Sequence, residues 1–326
     1  MKYLSNASTD PHFNMAFDEF CLEQLKADEP VFYLWQNRPS VIIGLNQSAY
    51  AEVNLPFLEE KRILLARRVT GGGAVYHDLQ NLNYTITGRI RDLEKDYPAY
   101  LETMVQALRA LGVPAELSGR NDILVDGRKC SGYAKRVSKD RLMIHGTLMY
   151  DVDIDTLTQA LATPGSKLSA AGVASVRSRV ANLKDYLPQF TDIAAFRDAL
   201  QALLAGEDEE IVLTPAQQAL IEADAAAKFR TWDWNYGRSP AAAFQVRRKF
   251  PCGTVEASFS LRSGRIDHLH FTGDFLGNLP PNRIEQALEG IPFTRDTLLA
   301  ALQNEPVAEC FDHLTAEDLV PFLLDA

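Results

Sequence analysis

Three consecutive glycines, Gly71, Gly72 and Gly73, follow the basic pair Arg67 and Arg68. Without side chains in the way, the backbone N–H groups of such a loop can approach an anion, and a phosphate or a carboxylate is the expected ligand. Strand-like residues precede and follow the glycines, so we expect a turn inside a sheet rather than a flexible linker. The spacing matches neither a P-loop nor a dinucleotide-binding fingerprint. The segment is therefore a candidate anion-binding loop, although a plain tight turn would also favour glycines.

Lys129 is the second candidate for chemistry. The pair Asp126-Gly127 separates two strand-like runs and predicts a two-residue hairpin turn. Counting outward from that turn places Asp122 opposite Ser131, with both on the same sheet face as Lys129. A lysine held there could bind substrate oxygens and stabilise the charge that develops when a carboxylate attacks the α-phosphate of a nucleotide. The same alternation turns Cys130 to the opposite face as an ordinary buried thiol.

The histidines leave two interpretations open. His77 and Asp78 follow the glycine loop and, together with His145, could hold a hydrolytic metal ion. The spacing is not of the HExxH type, so we give this interpretation less weight. His145 could equally be a core histidine whose ring is satisfied by hydrogen bonds.

The composition argues against several classes of protein. A formal net charge of -10 at pH 7 speaks against a general nucleic-acid binder, which needs an excess of Lys and Arg. We find no apolar stretch long enough to cross a bilayer and no targeting segment. The four cysteines lie far apart without metal-ligand spacing, which favours a reducing compartment. We therefore expect a cytoplasmic protein with neither nucleic-acid nor membrane partners.

The elements expected to position these residues mix strands and helices. Apolar spacing predicts an amphipathic helix over residues 14–25 and a second helix that ends near Gly112. Two short strands, over residues 31–35 and 40–44, flank a turn signal and are expected to form a hairpin or a neighbouring pair. An aromatic, turn-rich segment then marks a change of composition. We expect a domain boundary near residue 240, between a large domain of residues 1–240 and a small domain of residues 241–326.

These blocks together resemble the lipoate-protein ligase A family, within the biotin/lipoate ligase superfamily. The matching blocks are residues 14–19, 35–37, 41–47, 67–81, 121–123, 127–132, 145–148, 175–180 and 232–237. Single blocks are weak signals, but their order and spacing are specific and span nearly the whole chain. The resemblance implies an α+β fold, with a large catalytic domain that has a mixed β-sheet of the biotin/lipoate ligase type and a small α+β C-terminal domain.

The resemblance also implies a reaction in two steps. Lipoate and ATP, with Mg²⁺, would form enzyme-bound lipoyl-AMP and pyrophosphate, and the lipoyl group would then pass to a lysine of an acceptor protein. The implied acceptors are the lipoyl domains of 2-oxoacid dehydrogenase E2 subunits and the glycine-cleavage H protein.

Site residues follow from the same resemblance, with Lys129 as the active-site lysine. Lipoate or its adenylate would contact Trp35, Gly44, Arg68, Thr70, Gly71, Gly72, Gly73, Ser131, Gly132, Arg136, His145, Gly146 and Thr147. The nucleotide would contact Val75, Tyr76, His77, Asn81, Asn121 and Asp122. The metal ligands are not identified. Tyr133 departs from the family pattern, in which a small residue follows Gly132, and a tyrosine there would narrow the pocket.

Two other functions compete with this interpretation. An octanoyltransferase of the same superfamily would use a cysteine thioester and no ATP, but the segment where the family carries that thiol, residues 162–168, has no cysteine. A non-catalytic lipoyl-binding protein would keep the pocket, and the retention of Lys129, Arg68 and the glycine loop counts against it. ATP turnover would separate a ligase from such a binding protein.

Overall fold

The chain is built around one large mixed β-sheet, seen in a computed structural model that describes residues 1–27, 29–47, 49–118, 121–161, 176–205, 210–236, 244–262 and 265–324. The strands are β1 (Lys2–Leu4), β2 (Val31–Trp35), β3 (Ser40–Ile43), β4 (Leu64–Arg67), β5 (Val75–His77), β6 (Asn81–Arg89), β7 (Ala115–Ser118), β8 (Asp122–Val125), β9 (Arg128–Ser138), β10 (Arg141–Met149), β11 (Glu210–Ile211), β12 (Phe244–Phe250), β13 (Gly253–Arg262) and β14 (Arg265–Gly273). The α-helices are α1 (Pro11–Glu23), α2 (Ala49–Glu52), α3 (Leu55–Lys61), α4 (Leu93–Ala110), α5 (Ile154–Ala160), α6 (Ile193–Ala205), α7 (Pro215–Asp224), α8 (Trp232–Asn235), α9 (Asn282–Leu288), α10 (Arg295–Leu302), α11 (Val307–Cys310) and α12 (Ala316–Leu324).

The large sheet has eight strands in the order β11-β1-β2-β6-β10-β9-β8-β7. Strand β1 runs parallel to β11 and β2, whereas the pairs from β2 to β7 are antiparallel. A second sheet of three strands has the order β4-β3-β5. The fold is therefore α+β with a mixed sheet, as predicted. None of the helices in these residue ranges is long and apolar enough to span a membrane.

Strands β2 and β3 do not pair, so the predicted hairpin or neighbouring pair is wrong. Strand β2 lies between β1 and β6 in the large sheet, and β3 lies between β4 and β5 in the second sheet. Every residue of both strands is buried. Strands buried on both faces read as continuous apolar runs, and such runs do not reveal which strand is the partner.

The predicted helices are present, with shifted starts. Helix α1 begins at Pro11, where the Asp10 side chain accepts a hydrogen bond from the His12 amide at 3.1 Å. It is a little earlier than the apolar spacing predicted, because proline and the capping aspartate fix the first turn. Helix α4 ends next to Gly112, whose φ of 98° is the left-handed conformation expected after a helix.

The last part of the chain has a hydrophobic core of its own. Strands β12 to β14 form an antiparallel sheet, and helices α9 to α12 pack on it around side chains such as Phe259, Phe271 and Phe311. The α+β structure that the resemblance implied for this region is confirmed. The predicted domain boundary at residue 240 lies outside the described residues.

Candidate active site

The predicted hairpin that carries Lys129 is confirmed. Strands β8 and β9 pair in antiparallel fashion, and Asp126 and Gly127 between them have φ angles of 49° and 73°. Positive angles at both positions are those of a type I′ turn. Lys129 Nζ lies 2.8 Å from Asp122 Oδ1, and the two side chains are 38% and 35% exposed. The ammonium is thus held in place and is still accessible to a ligand from solvent.

A β-bulge beside Lys129 changes the predicted register. Beyond the Lys129 pair the register shifts, so Ser131 lies opposite Ile123 and Gly132 lies opposite Asp122. The predicted pairing of Ser131 with Asp122 is therefore wrong, and Ser131 is fully buried. Gly132, rather than Ser131, lies on the same face as Lys129. A Cβ added to Gly132 would lie only 2.9 Å from Lys129 Nζ. Simple alternation cannot reveal this arrangement, because a bulge sets two residues against one.

Cys130, at the bulge, is the buried thiol that the sequence predicted. Its side chain is fully buried, and Sγ donates a weak hydrogen bond to the Ile123 carbonyl oxygen at 3.4 Å. Burial raises the pKa of Cys130 to about 12. Because the thiolate is the nucleophilic form of cysteine, this side chain is not activated for thioester chemistry at neutral pH.

Arg67 anchors the strand that leads into the glycine loop. Its guanidinium group is fully buried and donates hydrogen bonds to the carbonyl oxygens of Gly44, Trp234 and Asn235 at 3.0, 2.8 and 2.9 Å. The Arg67 amide also donates to Asn235 Oδ1 at 2.8 Å. The side chain therefore ties β4 to helix α8 and has a structural role.

Arg68 points the other way and organises the glycine loop itself. It donates to the carbonyl oxygens of Gly71 and Gly73 at 2.7 and 2.8 Å and to Thr70 Oγ1 at 3.0 Å. Burial lowers the pKa of Arg68 to about 10, which leaves the group cationic at neutral pH. The two neighbouring arginines thus differ in role.

The glycine loop also contacts the C-terminal part of the chain. The Gly72 amide donates to the Phe275 carbonyl oxygen at 3.3 Å, and a Cβ on Gly71 would lie 2.7 Å from that oxygen. Gly72 has a φ of 92°, which favours glycine. The loop joins β4 and β5, which lie on either side of β3, so it crosses the end of β3 and is not a tight turn between neighbours.

A chain of buried hydrogen bonds connects helix α1, the large sheet and the glycine loop. His145 Nδ1 lies 2.6 Å from Asp18 Oδ2, and His145 Nε2 lies 2.7 Å from Thr70 Oγ1. The hydroxyl groups of Tyr33 and Thr85 donate to Asp18 Oδ1 at 2.5 and 3.1 Å. The Asp18 carboxylate and the Thr70 hydroxyl group thus hold the His145 ring in one orientation between helix α1 and the glycine loop.

A cavity between the glycine loop, the large sheet and the β8–β9 hairpin brings many of the predicted residues together. The predicted residues that line it are Trp35, Arg68, Gly73, Val75, His77, Asn121, Lys129, Gly132, His145, Gly146 and Thr147. Met15, Ile42, Ala74, Asn83, Tyr133 and Ala134 complete the lining. Lys129 and Arg68 contribute cationic groups to this lining, and Trp35, Met15 and Ile42 contribute apolar surface. The cavity suits an anion that carries an apolar tail.

The other predicted residues lie outside this lining. They are Gly44, Thr70, Gly71, Gly72, Tyr76, Asn81, Asp122, Ser131 and Arg136. Thr70 and Asp122 touch lining residues through the hydrogen bond and the ion pair described above. Arg136 donates to the Val69 carbonyl oxygen at 2.7 Å and lines a separate crevice with Asn278.

Sequence reasoning missed several residues of the site. Met15 and Asp18 belong to a matching block, and their three-residue spacing places both on one face of α1. Asn83 lies in a strand whose residues are nearly all buried. An amide in such a strand was a usable signal, because buried polar groups need partners.

The hydrolytic metal interpretation finds no support in the geometry. Both ring nitrogens of His145 are engaged by Asp18 and Thr70. Asp78 accepts hydrogen bonds from the backbone amides of Gln80 and Asp153. Among the described side chains, those close enough to share an ion are Asp267, His268 and Glu289, which belong to the C-terminal part.

Comparisons with known proteins agree on one family. The model of the lipoyl protein ligase A/B catalytic domain matches residues 10–205, and that of the bacterial lipoate protein ligase C-terminus matches residues 239–323. The lipoate-protein ligase LplJ of Bacillus subtilis is 36% identical, and the alignment covers 99% of this chain and 100% of that protein.

Solved structures show the same similarity. A bipartite lipoate protein ligase from Thermoplasma acidophilum, described with its E2 lipoyl domain, is 29% identical with a TM-score of 0.66, over 74% of this chain and 98% of that chain. A lipoate-protein ligase A bound with ATP is 29% identical with a TM-score of 0.63, over 72% of this chain and 97% of that chain.

Proposed function

Because the chain belongs to the lipoate-protein ligase family, we propose that it activates lipoate with ATP and transfers the lipoyl group to a lysine of an acceptor protein. In the first step a lipoate oxygen attacks the α-phosphorus, the bond to pyrophosphate breaks, and lipoyl-AMP and pyrophosphate form. In the second step the acceptor amine attacks the acyl carbon, the amide bond forms, AMP leaves and the amine loses a proton to solvent.

The observation that carries this proposal is the polarity of the cavity. Its lining combines the cationic side chains of Lys129 and Arg68 with the apolar side chains of Trp35, Met15 and Ile42. A carboxylate with an apolar tail fits this arrangement, because its charge is paired while its tail leaves water. The tail would lie beside Trp35, and the carboxylate would face Lys129 and the nucleotide.

The chain's own residues supply the electrostatic part of the first step. Lys129 would stabilise the charge that develops on the carboxylate and the α-phosphate as the bond to phosphorus forms. Arg68 holds the carbonyl groups of the glycine loop, so that the loop keeps one shape as ligands enter. For the nucleotide we propose contacts from Val75, Tyr76, His77, Asn81, Asn121 and Asp122.

We propose that Mg²⁺ accompanies ATP. The carboxylate of Asp122 is partly exposed beside Lys129, and it fits the preference of Mg²⁺ for one or two protein carboxylates together with phosphate oxygens. When bound, the ion would neutralise phosphate charge.

A thioester mechanism is disfavoured by the state of the thiol nearest the site. Cys130 is fully buried in the hydrophobic core, and its pKa is raised to about 12. The segment where the rival enzymes carry their cysteine lies outside the described residues, and its sequence contains none. A non-catalytic binding protein would have no need for the accessible lysine and its carboxylate partner.

As acceptors we propose lipoyl domains of 2-oxoacid dehydrogenase E2 subunits and the glycine-cleavage H protein. The similarity to an archaeal ligase described with its E2 lipoyl domain supports the first of these. The four cysteines are all free and buried, which agrees with our proposal of a cytoplasmic protein.

Lipoate-dependent exchange of labelled pyrophosphate into ATP tests the proposal, because it isolates the first step from any choice of acceptor. We expect exchange that requires both the protein and lipoate. Lipoate binding without exchange would contradict the ligase function and favour an acyltransferase or a binding protein. Transfer is then measured with an E2 lipoyl domain and with H protein, using as controls the same acceptors with the target lysine replaced by arginine.

A further inference from the structure

One row of residues crosses five strands of the large sheet beneath the cavity. Trp35 on β2 lies opposite Asn83 on β6, and Asn83 lies opposite Thr147 on β10. Thr147 Oγ1 accepts from the Gly132 amide on β9 at 3.2 Å, and Gly132 lies opposite Asp122 on β8. Directly opposed residues share a face of the sheet. The row therefore runs from the apolar wall at Trp35 to the ion pair of Lys129.

Asn83 occupies the middle of this row and carries an unsatisfied donor. Its Oδ1 accepts a hydrogen bond from Asn81 Nδ2 at 2.9 Å, which directs its Nδ2 away from Asn81. Within the described part of the chain, Asn83 Nδ2 has no hydrogen-bond partner, although only 1% of the residue is exposed. A buried amide left unpaired is costly, so this group is expected to gain its partner when a ligand enters.

The two residues that flank Asn83 in this row do not provide that partner, and the oxygen of Asn81 is not bonded to it either. The indole N–H of Trp35 is a donor and is engaged by Thr85 Oγ1 at 3.0 Å. Thr147 Oγ1 already contacts the backbone of Gly132 through both its amide and its carbonyl group. What the position lacks is an acceptor, and the substrate class of the proposed function supplies one in its carboxylate.

The spacing across the sheet fits a carboxylate between Asn83 and Lys129. Neighbouring strands are about 4.8 Å apart, so Asn83 and Gly132 lie about 10 Å apart with Thr147 between them. Lys129 Nζ reaches over Gly132. A carboxylate above Thr147 would have Lys129 on one side and the Asn83 amide on the other, with its tail directed toward Trp35.

We propose that Asn83 donates its free amide N–H to the carboxylate of the acyl substrate, opposite Lys129, and to the acyl carbonyl oxygen once the adenylate has formed. This inference rests on the proposed function. During transfer, the attacking amine pushes negative charge onto that carbonyl oxygen before AMP leaves, and a fixed donor stabilises the developing charge. Asn83 thereby sets the orientation of the acyl group and favours acids over neutral analogues of the same shape.

Binding of lipoate and of lipoamide, measured by calorimetry, tests this role, because the two differ only in the charged end. Asn83→Leu should weaken lipoate binding about 10- to 100-fold and lipoamide binding clearly less, because the hydrogen bond from Asn83 is stronger to a charged carboxylate than to a neutral amide oxygen. Asn83→Asp keeps the size of the side chain and an oxygen that can accept the hydrogen bond from Asn81. It can therefore be measured if the leucine variant fails to fold. It should weaken lipoate more than Asn83→Leu does, because two carboxylates repel each other.

Thr87→Val is the matched control. Thr87 lies on the same face of β6, is fully buried, and donates to the Leu142 carbonyl oxygen at 3.0 Å, but it does not line the cavity. This variant should bind both compounds like the unaltered protein.

Equal weakening of lipoate and lipoamide by the Asn83 variants would overturn the inference, since it would indicate lost packing alone. Unchanged lipoate binding by the Asn83 variants would also overturn the inference. The same holds if these variants raise only the KM for ATP in pyrophosphate exchange. If the unaltered protein neither binds lipoate nor supports exchange, the proposed function itself fails. Binding and exchange by the unaltered protein, with normal lipoate binding by Asn83→Leu, would refute only the role of Asn83.

Discussion

Two regions beside the cavity, a lysine end around Lys129 and a histidine end around His145, are stabilised in opposite ways. At one end, Lys129 and Asp122 form a partly exposed ion pair on a hairpin. At the other, Asp18 and His145 belong to a buried network that joins α1 to the glycine loop. Exposed ion pairs contribute little to stability, whereas a buried charge without its partners is expensive. We therefore expect that changes at the lysine end mainly affect the reaction and that changes at the histidine end mainly affect folding.

Lys129→Ala should have the largest effect of all on activity. Loss of the ammonium should reduce lipoate-dependent pyrophosphate exchange by about 100-fold or more. The free energy of unfolding should fall by no more than about 1 kcal/mol, because the ion pair is partly exposed. The control is Lys139→Ala, since Lys139 is 81% exposed in the turn after β9. Near-normal exchange by Lys129→Ala would refute the assignment of this lysine to the adenylation step.

Asp18→Ala tests the opposite end. Its removal leaves the hydroxyl groups of Tyr33 and Thr85 and the His145 ring without their common acceptor, so the free energy of unfolding should fall by about 3 kcal/mol. Urea denaturation measures this change. Asp155→Ala is the control, because the Asp155–Arg177 pair is exposed and its loss should cost less than about 1 kcal/mol. A stable Asp18→Ala protein without exchange activity would instead assign Asp18 to the reaction.

The pH dependence of stability should reflect a second buried histidine of the cavity, His77. Burial, with a smaller effect of the Arg68 charge, lowers the pKa of His77 from 6.5 to about 3. In the unfolded chain His77 takes up a proton near pH 6.5, whereas in the folded chain it stays neutral until about pH 3. The free energy of unfolding therefore decreases as the pH falls from about 6.5 toward 3. Between pH 7 and pH 5 the His77 contribution should fall by about 2 kcal/mol.

Urea denaturation at both pH values, compared with His77→Gln, isolates that contribution. Glutamine cannot be protonated in this range, so the variant should lose less stability on acidification than the unaltered protein. Equal losses in the two proteins would show that His77 does not stay neutral when folded.

Cys130→Ser should have the smallest effect on activity. The thiol is in the core below Lys129 and is protonated at neutral pH, so adenylation and transfer should continue at normal rates. The expected cost is a loss of about 1 to 2 kcal/mol in stability, because a hydroxyl group replaces a thiol in an apolar site. Loss of acyl transfer in a folded Cys130→Ser protein would revive the thioester mechanism.

Local signals predicted local structure well. The Asp126-Gly127 turn and the glycine after α4 were readable because each demands a positive φ that few residues adopt. Partners distant in sequence were not readable. Strand β3 pairs with β4 and β5, and the continuous apolar run of β2 gave no indication that it belongs to a different sheet.

The candidate site shows the same limit. Lys129, Arg68 and the glycine loop were found because their residue types are unusual in those contexts. Ser131 was assigned to the wrong face because alternation assumes a regular ladder and the bulge breaks it. Asn83 was missed because its significance depends on having no partner, and only three-dimensional contacts can show that.

The anchoring of Arg67 has a consequence for how the protein is made. The bonds that fix β4, and hence the loop after it, end on Asn235, which lies 168 residues later in the chain. Such contacts cannot form while the intervening segments are still being synthesised. A nascent chain that already contains the glycine loop and Lys129 therefore cannot form these anchoring bonds until helix α8 has left the ribosome, so the loop reaches its final position late in folding.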